Sequence, residues 1–86
     1  MGKYEKLVNL ILSGKSDANI AFNELCNLML KLGFQVRTRG SHKIYRKSGI
    51  QDLVNLQREG SKAKVYQVRK VRETILKYNL KLNGDA

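Results

Sequence analysis

The sequence predicts an α+β domain in which three helices pack on one face of a three-stranded antiparallel sheet. Apolar residues recur with helical spacing near both ends of the 86-residue chain, whereas its middle contains short segments in which apolar and polar residues alternate. Glycine-containing turns separate these short segments, and strands joined by such turns pair antiparallel. The expected order is therefore α-α-β-β-β-α, and we expect the sheet face away from the helices to be open.

The first two predicted helices are amphipathic. The first runs from about Lys3 to Ser13 and ends at the turn Gly14-Lys15-Ser16. Ser16 or Asp17 can cap the second helix, and Gly33 is placed to end it in a left-handed conformation. The second helix has a wide apolar face, which we expect to be a core face and which consists of Ala21, Phe22, Leu25, Cys26, Leu28, Met29 and Leu32.

Two predicted strands come next. The first, from Phe34 to Arg39, alternates between apolar and polar residues, and Gly40-Ser41 forms the turn into the second, from His42 to Lys47. In the second strand Ile44 and Tyr45 fall on opposite faces. The alternation alone does not decide which of the two is buried.

The last part of the chain contains one more predicted strand and a helix. The strand runs from Leu53 to Gln57 and is followed by a polar loop from Arg58 to Lys64 that contains Gly60. The helix extends from about Val65 to Asn79. Its apolar stripe consists of Val68, Val71, Ile75 and Tyr78.

Positive charge is concentrated in the middle of the chain. Seventeen Lys and Arg against seven Asp and Glu give a net charge of +10. The stretch from Lys31 to Arg72 contains twelve basic and two acidic residues, while the rest of the chain holds five of each sign. Such concentration is typical of a protein that binds a polyanion, although an acidic protein could use the same surface. The basic residues of this stretch are Lys31, Arg37, Arg39, Lys43, Arg46, Lys47, Arg58, Lys62, Lys64, Arg69, Lys70 and Arg72.

The composition argues against several other classes of protein. The single cysteine, Cys26, allows no intramolecular disulfide, and with one cysteine and one histidine a structural zinc site is excluded. We expect neither a metal nor another cofactor. No apolar run is long enough to span a bilayer and no signal-peptide pattern opens the chain, so we expect a cytoplasmic protein without membrane contact.

The single histidine, His42, follows the Gly40-Ser41 turn and stands among cations. Histidine is the side chain whose ordinary pKa lets it exchange protons near neutrality. A histidine among arginines and lysines therefore indicates a proton-transfer group held where phosphates bind. The alternative is an exposed turn histidine without a role.

Eight short motifs, taken together, resemble the HicA family of toxins from bacterial and archaeal toxin–antitoxin systems. They are Leu25-Cys26, Leu32-Gly33-Phe34, Arg39-Gly40-Ser41-His42, Tyr45-Arg46, Asn55-Leu56-Gln57, Lys62-Ala63-Lys64, Tyr66-Gln67-Val68 and Val71-Arg72. The resemblance covers roughly Asp17 to Leu80. It implies a single domain over residues 1–86, with a core at 16–80 that resembles a double-stranded-RNA-binding domain (α-β-β-β-α). Residues 1–15 form a helical extension whose role the motifs do not imply.

The resemblance also implies a function: an mRNA interferase, which is an endoribonuclease that blocks translation and is neutralised by a HicB-like antitoxin. The active histidine of the family, which follows Gly-Ser, corresponds to His42. The family keeps an aromatic residue at the position of Tyr45, which makes Tyr45 the core residue and puts His42 on the open face. Pairing of the first two strands would then place Arg37, Arg39 and Arg46 around His42. The residues expected to hold RNA are Arg37, Arg39, Gly40, Ser41, Lys43, Arg46, Lys62 and Lys64.

RNA carries its own nucleophile, the 2′-OH, so its cleavage requires a base, an acid and cations that stabilise the phosphorane. His42 supplies one half of the proton transfer. The sequence does not decide whether Tyr66, Lys62, Lys64 or water is the second proton-transfer group. A non-catalytic RNA-binding module is the main alternative function, for which His42 would be dispensable. DNA binding through the basic first half of the last helix is a weaker alternative, because no helix-turn-helix spacing is evident.

Overall fold

The structure, a computed structural model, describes residues 2–82 and confirms the α+β class and the antiparallel sheet. Three α-helices and four strands follow one another along the chain, and a short 3₁₀ turn at Asp17–Asn19 separates the first two helices. The elements are α1 (Lys3–Ser13), α2 (Phe22–Lys31), β1 (Gln35–Arg39), β2 (His42–Arg46), β3 (Val54–Glu59), β4 (Lys62–Ala63) and α3 (Val65–Tyr78). Among the residues described, no helix is both long and apolar enough to cross a membrane.

The sheet has four strands in the order β1-β2-β3-β4, so the prediction of three strands was wrong. The segment expected to be a polar loop, Arg58 to Lys64, contains the end of β3, a two-residue turn and β4. The turn Gly60-Ser61 resembles the turn Gly40-Ser41, because the glycine has a φ of +63° in the former and +59° in the latter. A two-residue hairpin loop of the II′ type requires positive φ at its first central residue, and glycine adopts it without strain.

The strand register decides which side chains share a face, because directly paired residues point to the same side of a sheet. Tyr45 pairs with Val36 on one side and with Val54 on the other, and Lys43 pairs with Leu56. Tyr45, Val54 and Leu56 are fully buried under the helices. Tyr45 is therefore the core residue of β2, and burial together with the Cys26 thiol raises the pKa of its phenol.

The helices cover β2 and β3 but leave β1 outside the core. All five residues of β1 are exposed, including Val36, which is 41% exposed although it points toward the helix side of the sheet. The hairpin of β1 and β2 thus projects beyond the packed part of the domain. The core lies between the helices and the strands β2, β3 and β4, and its apolar side chains are Ile11, Ile20, Phe22, Leu25, Cys26, Leu28, Met29, Leu32, Phe34, Tyr45, Val54, Leu56, Ala63, Val68, Val71 and Ile75.

The second helix begins five residues later than a cap at Ser16 would place it and four later than a cap at Asp17, and neither side chain caps it. The later start is caused by hydrogen bonds to a distant part of the chain. The backbone N–H of Ala63 donates to the carbonyl of Ile20 at 2.9 Å, and the N–H of Phe22 donates to the carbonyl of Ser61 at 3.0 Å. Pairing with the second hairpin therefore keeps residues 20 and 21 out of the helix. Gly33 follows α2 with a φ of +94°, as predicted.

Arg72 of α3 joins three parts of the fold. Its Nη1 donates to the backbone carbonyl of Ile11 at the end of α1 and to Asp17 Oδ1, both at 2.9 Å, and its Nη2 donates to Asp17 Oδ2 at 3.1 Å. The Asp17 side chain is 12% exposed and lies near Arg69 as well. The hydrogen bonds from the Arg72 guanidinium lower the pKa of the Asp17 carboxyl.

The link between Arg72 and Asp17 gives the first prediction. We expect Asp17→Asn to lower the melting temperature by several degrees at pH 7, because the amide replaces the bidentate carboxylate. Since folding lowers the pKa of Asp17, its stabilising effect is complete above the unfolded pKa of about 3.9 and is lost as the pH falls through the lower folded value. The difference in melting temperature between the wild type and Asp17→Asn should therefore disappear below about pH 4.

Asp52→Asn is the matched control for this experiment. Asp52 also pairs with cations of α3, but these are the flexible Lys70 at 3.6 Å and Lys77 at 3.4 Å, both well exposed. Exposed pairs contribute little to stability. The Arg72 link does not stabilise the fold if the two variants lower the melting temperature by the same amount. The same conclusion holds if the loss for Asp17→Asn is independent of pH.

Candidate functional site

His42 is the first residue of β2 and is exposed on the sheet face that the helices leave free. It pairs directly with Arg39 on β1 and with Gln57 on β3. Alternation along each strand puts further polar side chains on this face, which we call the open face. Its members are Gln35, Arg37 and Arg39 of β1, His42, Ile44 and Arg46 of β2, and Asn55 and Gln57 of β3.

Asn55 orients the imidazole of His42. Its Oδ1 lies 3.2 Å from His42 Nδ1. A carbonyl oxygen can only accept, so this contact is a hydrogen bond when Nδ1 carries the proton. In that tautomer Nε2 is the unprotonated nitrogen.

A concavity of about 210 Å³ lies beside His42 and is lined by an imidazole, three amides and a phenol. His42, Asn55 and Gln57 come from the sheet, and Tyr66 and Gln67 come from the first turn of α3. The chain passes from β4 into α3 with one residue between them, which brings this turn to the edge of β3. Gln57 Nε2 donates to Ser41 Oγ at 3.1 Å, so the predicted site residue Ser41 holds the amide of Gln57.

Three arginines predicted to hold RNA share the open face with His42: Arg37, Arg39 and Arg46. All three are exposed, and no acidic side chain among residues 2–82 pairs with any of them. Because Gly40 is at the tip of the same hairpin, it adds backbone but no charge to this surface.

The three lysines predicted to hold RNA are not gathered around His42. Lys43 lies on the opposite face, because it pairs with Leu56. Lys62 pairs with Glu59 and by alternation is on the same side of the sheet as Gln57. Lys64 precedes α3, and its Nζ lies 5.9 Å from the ring centre of Tyr66.

Other members of the basic stretch have partners within the fold. Arg58 donates to Asn23 Oδ1 at 2.8 Å and stacks over the ring of Phe22 at 5.1 Å. Arg69 and Arg72 contact Asp17, and Lys70 contacts Asp52. The open-face arginines are thus distinct from the cations that have partners within the fold.

A larger groove of about 540 Å³ lies between α1 and the end of α3, and none of the predicted site residues lines it. Among the residues described, no three His, Cys, Asp or Glu side chains are grouped as metal ligands. The concavity at His42 brings a titratable imidazole together with three amides and a phenol, and the open-face arginines lie on the same side of the sheet.

The sequence model described as the HicA toxin of bacterial toxin–antitoxin systems matches residues 22–78. That segment is about two thirds of the chain and contains every residue of the open face and of the concavity. The chain belongs to the HicA family of toxins. The comparisons with curated proteins and with solved structures give no match. Membership of the family implies an antitoxin partner, and α1 lies outside the matched segment of this HicA toxin.

The sequence alone did not identify Asn55, Gln57 and Gln67 of this HicA toxin as site residues. Tyr66 was considered only as a proton carrier. The signal for Asn55 and Gln57 was present, since polar residues flank the apolar Leu56 in a strand. Gln67 gave no such signal, because its place beside the sheet depends on how α3 packs.

The contact between His42 and Asn55 gives the second prediction. We expect the Nδ1–H tautomer to predominate in the wild-type protein and Asn55→Ala to shift the tautomer ratio toward Nε2–H by roughly 2- to 12-fold, the equivalent of one hydrogen bond at about 0.5–1.5 kcal/mol. The ¹⁵N chemical shifts of the ring nitrogens of neutral His42 measure this ratio. Ser41→Ala, which removes the neighbouring contact with Gln57, should leave it unchanged. A wild-type ring in the Nε2–H form would contradict the assignment.

Proposed function

We propose that this HicA toxin is a metal-independent endoribonuclease that cleaves mRNA, with His42 as its proton-transfer group, and that it acts in the cytoplasm to block translation. The observation that carries the proposal is the contact between His42 Nδ1 and Asn55 Oδ1, which leaves Nε2 free on the open face. A residue that only binds phosphate needs no such orientation. Arg37, Arg39 and Arg46 on the same face are exposed and have no acidic partner among residues 2–82, which supports a phosphate-rich substrate.

In the proposed reaction His42 Nε2 accepts the proton of the ribose 2′-OH. The O2′ atom attacks phosphorus, a bond from O2′ to phosphorus forms, and the bond from phosphorus to the 5′-oxygen of the next nucleotide breaks. That oxygen leaves with a proton from Tyr66, which lines the concavity, or from water, which reaches the open face. The products are a 2′,3′-cyclic phosphate and a 5′-OH.

The arginines contribute by binding the phosphate while its charge builds up in the transition state. Arg39 pairs directly with His42, and Arg37 is two residues further along β1. Guanidinium groups can hold two phosphate oxygens at once, which positions phosphorus as well as stabilising charge. No step needs a metal ion, since the nucleophile belongs to the RNA and the proton acceptor to the protein.

The third prediction concerns His42. We expect His42→Ala to reduce RNA cleavage by about 100-fold or more, because a positioned general base contributes roughly 10²–10⁴-fold. Cleavage by the wild type should persist in excess EDTA and leave 2′,3′-cyclic or 3′-phosphate ends, as measured by end-group analysis of the fragments. Growth arrest on induction should disappear with the same substitution.

The control is that the His42→Ala protein keeps its circular dichroism spectrum and most of its affinity for RNA. Undiminished cleavage by the folded variant would refute the role of His42. Fragments with 3′-OH ends, or a strict need for a divalent metal, would refute attack by the 2′-OH. A protein that binds RNA but never cleaves it would instead be a non-catalytic RNA-binding module.

The fourth prediction concerns the open-face arginines. Arg37→Gln, Arg39→Gln and Arg46→Gln should each flatten the dependence of log affinity on log salt by about 0.7 on single-stranded RNA, the change expected for one lost phosphate contact. Lys15→Gln removes the same charge from the connector after α1 and should leave the slope unchanged. Equal effects from Lys15 and the arginines would mean that net charge alone governs binding.

We also propose that the antitoxin is HicB-like and acidic, and that it covers His42 and the open-face arginines. The fifth prediction is that in the complex a face of about 600–1,000 Å² on the toxin, half of a standard interface, becomes protected from hydrogen exchange and includes β1 and β2. Arg39→Gln should slow association and make it less dependent on salt. Protection confined to α1, with His42 still open, would mean that inhibition works at a distance.

A further inference from the structure

Gln67 is a buried amide that lacks a hydrogen-bond partner on its oxygen. It lies in the first turn of α3, is 2% exposed, and has no partner for Oε1 among the residues described. Buried acceptors are almost always satisfied, so an orphaned one in a native fold calls for an explanation. Gln67 lines the concavity beside His42, and although its Oε1 has almost no accessible surface, a rotation of the side chain would bring this oxygen to a donor bound there.

Gln57 presents a second acceptor to the same concavity. Its Nε2 donates to Ser41 Oγ at 3.1 Å, which fixes the orientation of the amide. Its Oε1 has no partner among residues 2–82. Asn55 Oδ1 is engaged by His42, so the amide oxygens of the lining that have no partner among residues 2–82 belong to Gln57 and Gln67.

The size and rim of the concavity fit one flat aromatic ring. Its volume of about 210 Å³ corresponds to roughly seven water molecules at about 30 Å³ each. Tyr66, 61% exposed, also lines it, and the Lys64 ammonium lies 5.9 Å from the ring centre of Tyr66. An exposed aromatic ring beside a cation is the usual platform on which single-stranded nucleic acids stack their bases.

We propose that this concavity binds one nucleobase of the RNA, stacked on Tyr66, and that Gln57 and Gln67 select bases that carry an exocyclic amino group. The amino group of adenine, cytosine or guanine offers two N–H donors to the two amide oxygens. Uracil has no amino group, and its carbonyl oxygens would face those acceptors. The inference rests on the proposed endoribonuclease function, because it assigns a binding site to the base next to the phosphate that the ribose O2′ attacks while His42 accepts its proton.

The experiment measures binding without cleavage. Uridine oligomers with 2′-fluoro sugars lack the nucleophile, and each carries a single central adenosine, purine riboside or uridine. Purine riboside is adenosine without its amino group. We expect the wild-type protein to bind the adenosine oligomer about 5-fold or more tightly than the other two, the low end of the range for one specific base contact.

Gln67→Met removes the acceptor and nearly keeps the volume. It should reduce the ratio of the affinities for the adenosine and purine riboside oligomers to about one. The affinity for the uridine oligomer and the melting temperature of the protein should not fall. Gln35→Met is the control, because it makes the same change on the open face outside the concavity. It should leave the ratio of the two affinities unchanged. A merely structural Gln67 would give the opposite result: a lower melting temperature with the base preference intact.

The outcomes separate this inference from the proposed function. An amino-group preference that depends on Gln67, in a protein that never cleaves natural RNA, would support the base pocket and refute the nuclease. Cleavage that requires His42, with equal binding of all three oligomers by the wild type, would support the nuclease and overturn the base pocket.

Discussion

The composition of the open face depends on the register of β2, which the turn Gly40-Ser41 sets. Side chains alternate along a strand, so a slip of one residue would bring Tyr45 out of the core and turn His42 into it. The positive φ of Gly40 closes the hairpin so that Arg39 faces His42. The burial of Tyr45 under the helices opposes any slip. One tight turn and one buried ring thus place the histidine.

The second constraint is the junction between β4 and α3. A turn of the same Gly-Ser composition, Gly60-Ser61, reverses the chain after β3, and α3 begins after β4 and a single further residue. The first turn of α3 therefore lies against the edge of β3 and adds Tyr66 and Gln67 to a surface that otherwise belongs to the sheet. The concavity exists because a hairpin, and not a free loop, makes this connection.

The cationic side chains fall into two groups, those that pair within the fold and those that are solvated on the open face. Carboxylates of the connectors contact the cations of α3, as in the pairing of Asp17 with Arg72 and of Asp52 with Lys70. The arginines of the β1–β2 hairpin have no such partner among the described residues, and β1 has no helix packed on it. A projecting hairpin whose cations are solvated can meet a polyanion with little rearrangement of the fold, since few internal contacts have to break.

The sequence by itself determined the helices, the first hairpin, the position of His42 and the family, because these follow from local periodicity, turn chemistry and contiguous motifs. It also contains a signal for the second hairpin: Gly60-Ser61 repeats the composition of the first turn, and a two-residue glycine turn favours a hairpin over a loop. Only the tertiary structure decided the rest. The start of α2, the pairing of Asp17 and the place of Gln67 each depend on contacts between residues far apart in the chain, and such contacts leave no periodic trace in the sequence.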